Sequence, residues 1–319
     1  MLRGIRGNTM RAPRYRFLLA LVAIFAIVGA ACSESSSTTD PGDGSSAPAT
    51  GGTVCDTADL GAGDMLASIC ESGTLRVATD PQYPPASSLD ETTGEWEGFD
   101  VATAEELAAR LGVEVEWATP GWDVITAGRW NDRWDISVGS MTITPERAEV
   151  LDFTKPYYYT PAQLAVHADN TDIAAPADLT GEKVGVGIAT TYESYLEGTL
   201  EIPDFPIDFQ VTGAEIVTYK TDRLAIDDLA LGDCARLCAA FSAVPILQGA
   251  IDAGKPIKLM GEPIYNEPLA VAVDRSAPLD DASLVAALDE LIAEMHSDGT
   301  LSASSMEWYG VDYSIQQGA

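Results

Sequence analysis

The segment Ser137-Val-Gly-Ser-Met-Thr-Ile-Thr-Pro-Glu-Arg147 decides both the fold and the site that this chain is expected to form. It begins as an apolar strand and continues into small residues that carry hydroxyl groups. Pro145 directly after Thr144 predicts the first turn of a helix, with the threonine as its cap. Because Arg147 enters this turn, a strand end, hydroxyl groups and a fixed guanidinium together predict a pocket for a carboxylate.

Strand patterns alternate with helical patterns on both sides of this segment. Before it, Leu75–Thr79 and Val113–Trp117 predict strands, and the amphipathic helix between them ends at Gly112. After it, a second alternation begins at Asp178, and a third part joins a strand at Pro268–Val273 to a long amphipathic helix. This β-α-β order predicts an α/β protein with mostly parallel sheets flanked by helices.

Residues 1–31 are predicted to be a lipoprotein signal peptide. Arginines precede an apolar stretch at Phe17–Val28, which is short for a transmembrane helix. Small residues then lead to Cys32, in a pattern that resembles a bacterial lipobox, so we expect Cys32 to be lipidated. Residues 32–53 are rich in Ser, Thr, Gly and Pro and predict a flexible tether. The chain is therefore expected on the outer face of the cytoplasmic membrane, with an uncleaved membrane anchor as the alternative.

The other cysteines predict disulfide bonds. Cys55, Cys70, Cys234 and Cys238 are an even number in an exported chain, and the local pairs 55–70 and 234–238 are the simplest arrangement. A zinc site is the alternative, but the chain has only 2 histidines and no C-x2-C motif. We therefore predict neither a metal nor a cofactor.

The charge of the chain excludes one class of partner. The formal net charge is −31, and the five arginines before residue 32 belong to the predicted signal peptide. Phosphate groups would be repelled by such a surface, so we expect no nucleic-acid partner.

Seven stretches resemble, in order and spacing, the extracellular solute-binding proteins of polar amino-acid ABC transporters. They are Leu75–Pro85, Gly98–Asp100, the Arg147 segment, Leu179–Val186, Thr190–Thr191, Glu267–Pro268 and Asp298–Thr300. The resemblance implies the type II periplasmic-binding-protein fold, in which two α/β lobes are joined by two hinge strands. It places the hinge strands near Leu164–His167 and Leu269–Val273, lobe 1 at residues 54–166 and 268–319, and lobe 2 at residues 167–267.

The same resemblance implies a function. Such a protein captures an amino acid or a related carboxylate or zwitterion by hinge closure, as a monomer, and delivers it to the permease subunits of an ABC importer. The related cyclohexadienyl dehydratases share this fold, so an enzyme is the alternative, with Asp123, Glu193 or Glu267 as the acid. No nucleophile–base–orienter set is visible in the sequence, and we expect a binding protein.

The resemblance also implies which residues bind the ligand. Arg147 would hold the ligand's carboxylate from lobe 1, and the turn at Thr190 would hold it from the start of a lobe 2 helix, where amide groups favour an anion. Tyr83 and Trp122 would enclose the aliphatic part, and Asp80 would lie near the ligand's side chain. The full predicted set is Asp80, Tyr83, Trp122, Ser140, Met141, Thr142, Arg147, Thr190, Thr191 and Phe241.

Phe241 marks a departure from the family. The family places an aspartate at the end of a lobe 2 strand, where it binds the α-ammonium group, and here that place falls on Phe241. Three explanations stay open: a carboxylate ligand without a primary ammonium, a bulky cation held by aromatic rings, or another acid such as Asp80, Asp123 or Glu267.

Overall fold

The computed structural model describes residues 52–58, 61–232 and 234–316. The predicted signal peptide, Cys32 and most of the predicted tether lie outside these residues. Within them, no helix is both long and apolar enough to cross a membrane.

The helices follow the predicted alternation, with several additions. They are α1 (Val54–Thr57), α2 (Met65–Ser72), α3 (Phe99–Leu111), α4 (Trp122–Thr126), α5 (Thr191–Glu197), α6 (Asp222–Leu229), α7 (Val244–Asp252), α8 (Ala282–Ser297) and α9 (Thr300–Tyr309). Gly112 ends α3 in the left-handed conformation, as predicted. The predicted helix after Thr144 is only a 3-10 turn at Arg147–Glu149, although the Thr144 hydroxyl does accept from the Arg147 amide.

Most strands belong to one sheet. They are β1 (Thr74–Ala78), β2 (Gln82–Tyr83), β3 (Ser87–Leu89), β4 (Trp96–Glu97), β5 (Glu114–Ala118), β6 (Ile136–Thr142), β7 (Leu151–Phe153), β8 (Tyr158–His167), β9 (Lys183–Gly187), β10 (Glu215–Tyr219), β11 (Ala239–Ala243) and β12 (Ile257–Asp274). The order in the large sheet is β10-β9-β11-β8-β12-β6-β1-β5, with β7 beside β12, while β2, β3 and β4 form a small separate sheet. The outer strands pair in parallel on each side, and β8 and β12 join the two sides in antiparallel register.

Two buried clusters divide the sheet into a first half (β1, β5, β6 and β7) and a second half (β9, β10 and β11). Leu75, Val138 and the apolar face of α8 pack in the first half, whereas Val184, Leu229 and Phe241 pack in the second. The strand β11 is buried over its whole length, as expected for a strand whose two faces are both covered. The two α/β halves of the predicted fold class are therefore present.

Two long strands pass from one half to the other. Tyr158 packs in the first cluster and Ala162 in the second, so β8 crosses between them, and β12 crosses between Tyr265 and Leu269. The predicted crossing at Leu164–His167 is wrong, because Leu164 and its neighbours lie in the core of the second half. Sequence hydropathy did not separate these positions, because each strand carries apolar residues on both sides of its crossing.

Two disulfides join Cys55 to Cys70 and Cys234 to Cys238. Both predicted local pairs are thereby confirmed. Glu182 lies beside the second pair. The sulfur atoms bond to each other there, which favours the disulfide over the zinc alternative.

Removing the first disulfide is expected to destabilise the protein more than removing the second. The Cys55–Cys70 bond closes a loop of 15 residues and the Cys234–Cys238 bond one of 4. Loop-closure entropy predicts about 3 kcal/mol for the longer loop and less for the shorter one. Urea denaturation of the two paired Cys→Ser variants checks this, and an equal loss in both would contradict it.

Candidate functional site

A cleft lies between the two halves, where their strands end and β12 passes from one half to the other. Both halves supply its lining, which is Asp80, Tyr83, Trp122, Gly139, Ser140, Thr142, Arg147, Gly187, Ile188, Thr190, Thr191, Tyr192, Lys220, Thr221, Asp222 and Glu267. Most of these residues follow the carboxyl ends of β1, β6, β9 and β10, the edge at which open α/β sheets bind ligands. The structure thus brings together eight of the ten predicted site residues.

Arg147 is the buried cation of this cleft. Its side chain is 8% exposed. One terminal nitrogen, Nη1, donates to the Thr142 carbonyl at 2.9 Å, and Nη2 donates to the Ala189 carbonyl at 3.0 Å. Burial lowers the pKa of Arg147, but a guanidinium keeps its charge. Among the described residues no carboxylate lies within ion-pair distance, so several of its five N–H donors remain for an anion.

Ala189 joins the two halves at this point. Its carbonyl accepts from Arg147 and also from the indole nitrogen of Trp122 at 3.2 Å. The residue has φ +59° and Ser140 has φ +55°, a region that costs a non-glycine residue about 1–3 kcal/mol. Backbone strain at two facing positions is typical of a site whose geometry matters for binding.

The four predicted hydroxyl residues make different contacts. The Ser140 hydroxyl donates to Asp100 at 2.7 Å, behind the cleft wall, and the Thr142 hydroxyl donates to Glu267 at 2.8 Å. Thr191 also donates to Glu267. Thr190 caps α5 by accepting from the Glu193 amide. Its hydroxyl donates to the Gly187 carbonyl at 2.7 Å.

Glu267 is a buried carboxylate at the crossing of β12. Its side chain is 1% exposed, and its oxygens accept from Thr142, Thr191 and the Tyr192 hydroxyl, the last at 2.9 Å. Burial raises the pKa of Glu267, and the three hydroxyl donors oppose that rise. The carboxylate therefore connects β6 of the first half to α5 of the second.

Replacing Glu267 by alanine is expected to lower the free energy of unfolding by about 2–3 kcal/mol. The change leaves three buried hydroxyl donors without their acceptor, and hydrogen bonds to a charged group contribute about 1.5–3 kcal/mol each. The variant also no longer buries a carboxylate, and the desolvation cost that this removes offsets part of the loss. Urea denaturation measures the loss. Glu262→Ala is the control, because Glu262 is an exposed residue of the same strand. A loss no greater than that of the control would contradict the role assigned to Glu267.

Asp222 is a lining residue that the sequence did not single out. It opens α6, is 5% exposed, and accepts from the Gly187 amide at 2.9 Å and the Ser242 hydroxyl at 2.6 Å. Burial raises the pKa of Asp222 to about 7. Its place after a threonine cap, Thr221, resembles an ordinary helix start, which gave no signal of a site.

Asp80, Tyr83 and Trp122 line the cleft as predicted. The Asp80 carboxylate accepts from the Gln82 amide at 2.8 Å and so caps the turn that follows it. The guanidinium carbon of Arg147 lies 5.6 Å from the centre of the Trp122 ring. Ligand contacts of these residues remain predictions.

Two predicted site residues lie elsewhere. Met141 is buried in a core cluster beside Trp130, because it points to the opposite face of β6 from Ser140 and Thr142. Phe241 is 1% exposed and packs against the rings of Tyr192 and Tyr265. Phe241 is therefore not a lining residue of the cleft, whereas the hydroxyl of the next residue of β11, Ser242, donates to the lining residue Asp222.

Of the three acids considered for catalysis, one lines the cleft. Asp123 and Glu193 are absent from the lining. Glu193 instead accepts from the Ala189 amide at 2.6 Å. Glu267 lines the cleft, but its oxygens already accept three hydrogen bonds.

Comparisons with known proteins agree with this architecture. Residues 75–311 match the family model of bacterial extracellular solute-binding proteins, family 3. The L-cystine-binding protein TcyJ of Escherichia coli (strain K12) is 32% identical over 250 residues, which cover 78% of this chain and 87% of that protein. The histidine-binding periplasmic protein of Salmonella typhimurium (strain LT2) is 30% identical over 243 residues, covering 75% and 88%.

A solved structure is similar over nearly its whole length. It is the ancestral amino acid-binding protein AncCDT-1, described as a precursor of cyclohexadienyl dehydratase, with 30% identity and a TM-score of 0.66. The match covers 76% of this chain and 99% of that structure. The neighbour related to the dehydratases is thus itself a binding protein.

Proposed function

This chain belongs to the bacterial extracellular solute-binding proteins of family 3, and we propose that it is the substrate-binding component of an ABC importer which captures an amino acid at Arg147. The observation that carries the proposal is the buried Arg147 guanidinium, which has no carboxylate partner among the described residues and faces a cleft lined by both halves. A ligand carboxylate would complete its hydrogen bonds in bidentate geometry.

The acids of the cleft support a zwitterionic ligand. Asp222 and Glu267 are buried there, and neither has a basic side chain within ion-pair distance in the described part of the chain. Of the three explanations for the missing strand-end aspartate, these acids favour the third, in which another carboxylate takes its place. L-Cystine and L-histidine are first candidates, because relatives of this chain are named for binding them.

Hinge closure is part of the proposal. Arg147 and Trp122 of the first half both bond the Ala189 carbonyl of the second half, so the cleft is formed by contacts across it. We propose that lobe 2 is the part of the chain between the crossings of β8 and β12 and that lobe 1 is the rest of the binding domain, so the boundary expected at residue 166 moves towards Tyr158–Ala162. The protein would act as a monomer that delivers ligand to permease subunits.

The membrane anchor is proposed from the sequence alone. A lipidated Cys32 and a tether over residues 32–53 would hold the binding domain at the outer face of the cytoplasmic membrane. Labelling cells with radioactive palmitate checks this, and we expect the label in the wild type and none in Cys32→Ser. A label that persists in the variant would contradict lipidation at Cys32.

Isothermal titration calorimetry tests the binding function. A panel of L-cystine, L-histidine, L-arginine, L-lysine and L-ornithine covers amino acids after which relatives of this chain are named. We expect at least one to bind purified protein with a Kd of micromolar order or tighter, and failure of the whole panel would contradict the proposal. We propose no catalytic activity, and turnover of prephenate or arogenate would contradict that part.

A further inference from the structure

The end of β11 carries no acid, yet a carboxylate lies beside it. Ser242 of this strand is buried, and its hydroxyl donates to the cleft residue Asp222 at 2.6 Å. Asp222 comes from a different element, the first turn of α6. The strand end and the helix start thus meet at one carboxylate.

We propose that Asp222, positioned by Ser242 and the Gly187 amide, is the group that binds the α-ammonium of the ligand in this protein. The inference rests on the proposed function, because it requires an amino-acid ligand. It assigns the role to a residue 20 positions before Ser242, in place of an acid on the strand itself.

Unused acceptor capacity distinguishes Asp222 from Glu267. An ionised carboxylate has about four acceptor positions. Glu267 uses three of them for hydroxyl donors, whereas Asp222 uses two, for Gly187 and Ser242. Asp222 therefore has more room for a further donor, and the two bonds that it makes fix the orientation of its oxygens.

The charge of the cleft points the same way. The described residues place no cation within ion-pair distance of Asp222. Burial raises the pKa of Asp222, and the nearby carboxyls of Asp80 and Glu267 raise it further. A buried carboxylate without a counter-charge costs several kcal/mol. An ammonium group that enters the cleft would supply that counter-charge, so the same feature that destabilises the empty site favours a cationic ligand group.

Gly187 keeps the space that this arrangement needs. A Cβ atom on Gly187 would lie 2.4 Å from Asp222 Oδ1 and 3.0 Å from the Thr190 side chain. Gly187→Ala must therefore displace the Asp222 carboxylate or the strand end. This gives a second variant that moves the carboxylate without removing its charge.

The test combines ligand analogues with variants. Each amino acid of the panel is titrated beside its analogue in which hydrogen replaces the α-ammonium; for L-cystine this is 3,3′-dithiodipropionate. In the wild type we expect the amino acid to bind at least about 30-fold more tightly than its analogue, as for a buried charged contact. In Asp222→Asn this preference should shrink to a few-fold, and Gly187→Ala should weaken it as well.

A swap and a matched control complete the experiment. The double variant Asp222→Ser/Ser242→Asp moves the acid to the strand end and should restore most of the preference, which a merely structural role of Asp222 would not explain. Asp227→Asn is the control, because Asp227 lies on the same helix and pairs with Lys255 and Arg223 outside the cleft lining. Thermal unfolding of each variant confirms that it is folded.

The outcomes separate the two proposals. An undiminished preference in Asp222→Asn, with the wild type binding an amino acid, overturns the role of Asp222 and leaves the binding function standing. A wild type that binds no amino acid of the panel overturns both.

Discussion

Replacing Arg147 by methionine is expected to weaken amino-acid binding by about 2–5 kcal/mol, the usual loss when one partner of a buried charged contact is truncated. Methionine keeps an unbranched apolar side chain but has no N–H donor for a carboxylate. The loss should appear mainly as faster dissociation, since buried contacts control the off-rate more than the on-rate. Calorimetry and stopped-flow fluorescence of Trp122 measure the two quantities.

Two further variants make this prediction specific. Arg147→Lys keeps the charge but loses the planar fork, so its affinity should lie between those of the wild type and Arg147→Met. Arg223→Met is the control, because Arg223 is an exposed cation outside the cleft lining. Unchanged affinity in Arg147→Met, or an equal loss in the control, would contradict the carboxylate role of Arg147.

The free protein is expected to lose stability as the pH rises from about 5 to 7. Burial raises the pKa of Asp100 and of Asp222 to about 7, from an ordinary value of 3.8. Between these values the folded protein keeps protons that the unfolded chain has released, so the folded state is favoured at low pH and this advantage disappears as pH passes the folded pKa. Carboxyls with lowered pKa values, such as Asp298, change stability mainly below pH 4.

The size of the effect follows from linkage. Each pH unit in this window is worth about 1.4 kcal/mol per group, so each carboxyl contributes about 2–3 kcal/mol between pH 5 and pH 8. Urea denaturation at several pH values checks this. Asp100→Asn and Asp222→Asn should each flatten the profile, whereas Asp132→Asn, at an exposed loop residue, should leave it unchanged. A free energy of unfolding that stays constant or rises from pH 5 to pH 7 would contradict the prediction.

Local sequence predicted one end of the cleft well. Arg147, Thr142 and Ser140 lie within eight residues of each other, so the strand end and the following turn place them together without help from distant elements. The hydroxyl contacts were less predictable. Ser140 bonds Asp100 of α3, a residue 40 positions earlier in the chain, and such pairing depends on how α3 packs on β6.

The other end of the cleft could not be predicted from local sequence. Successive residues of a strand point to opposite faces, so the predicted site residue Phe241 packs in the core while its neighbour Ser242 bonds Asp222. Asp222 reaches Ser242 only because β9, β11 and α6 pack side by side. No spacing rule connects a helix start to the end of a later strand.

A crystal structure of the protein with a bound amino acid from the panel tests the central claim most directly. The account predicts the ligand in the cleft, with its carboxylate oxygens about 2.7–2.9 Å from nitrogen atoms of the Arg147 guanidinium. A ligand bound outside the cleft, or one in the cleft whose carboxylate does not contact Arg147, would contradict it.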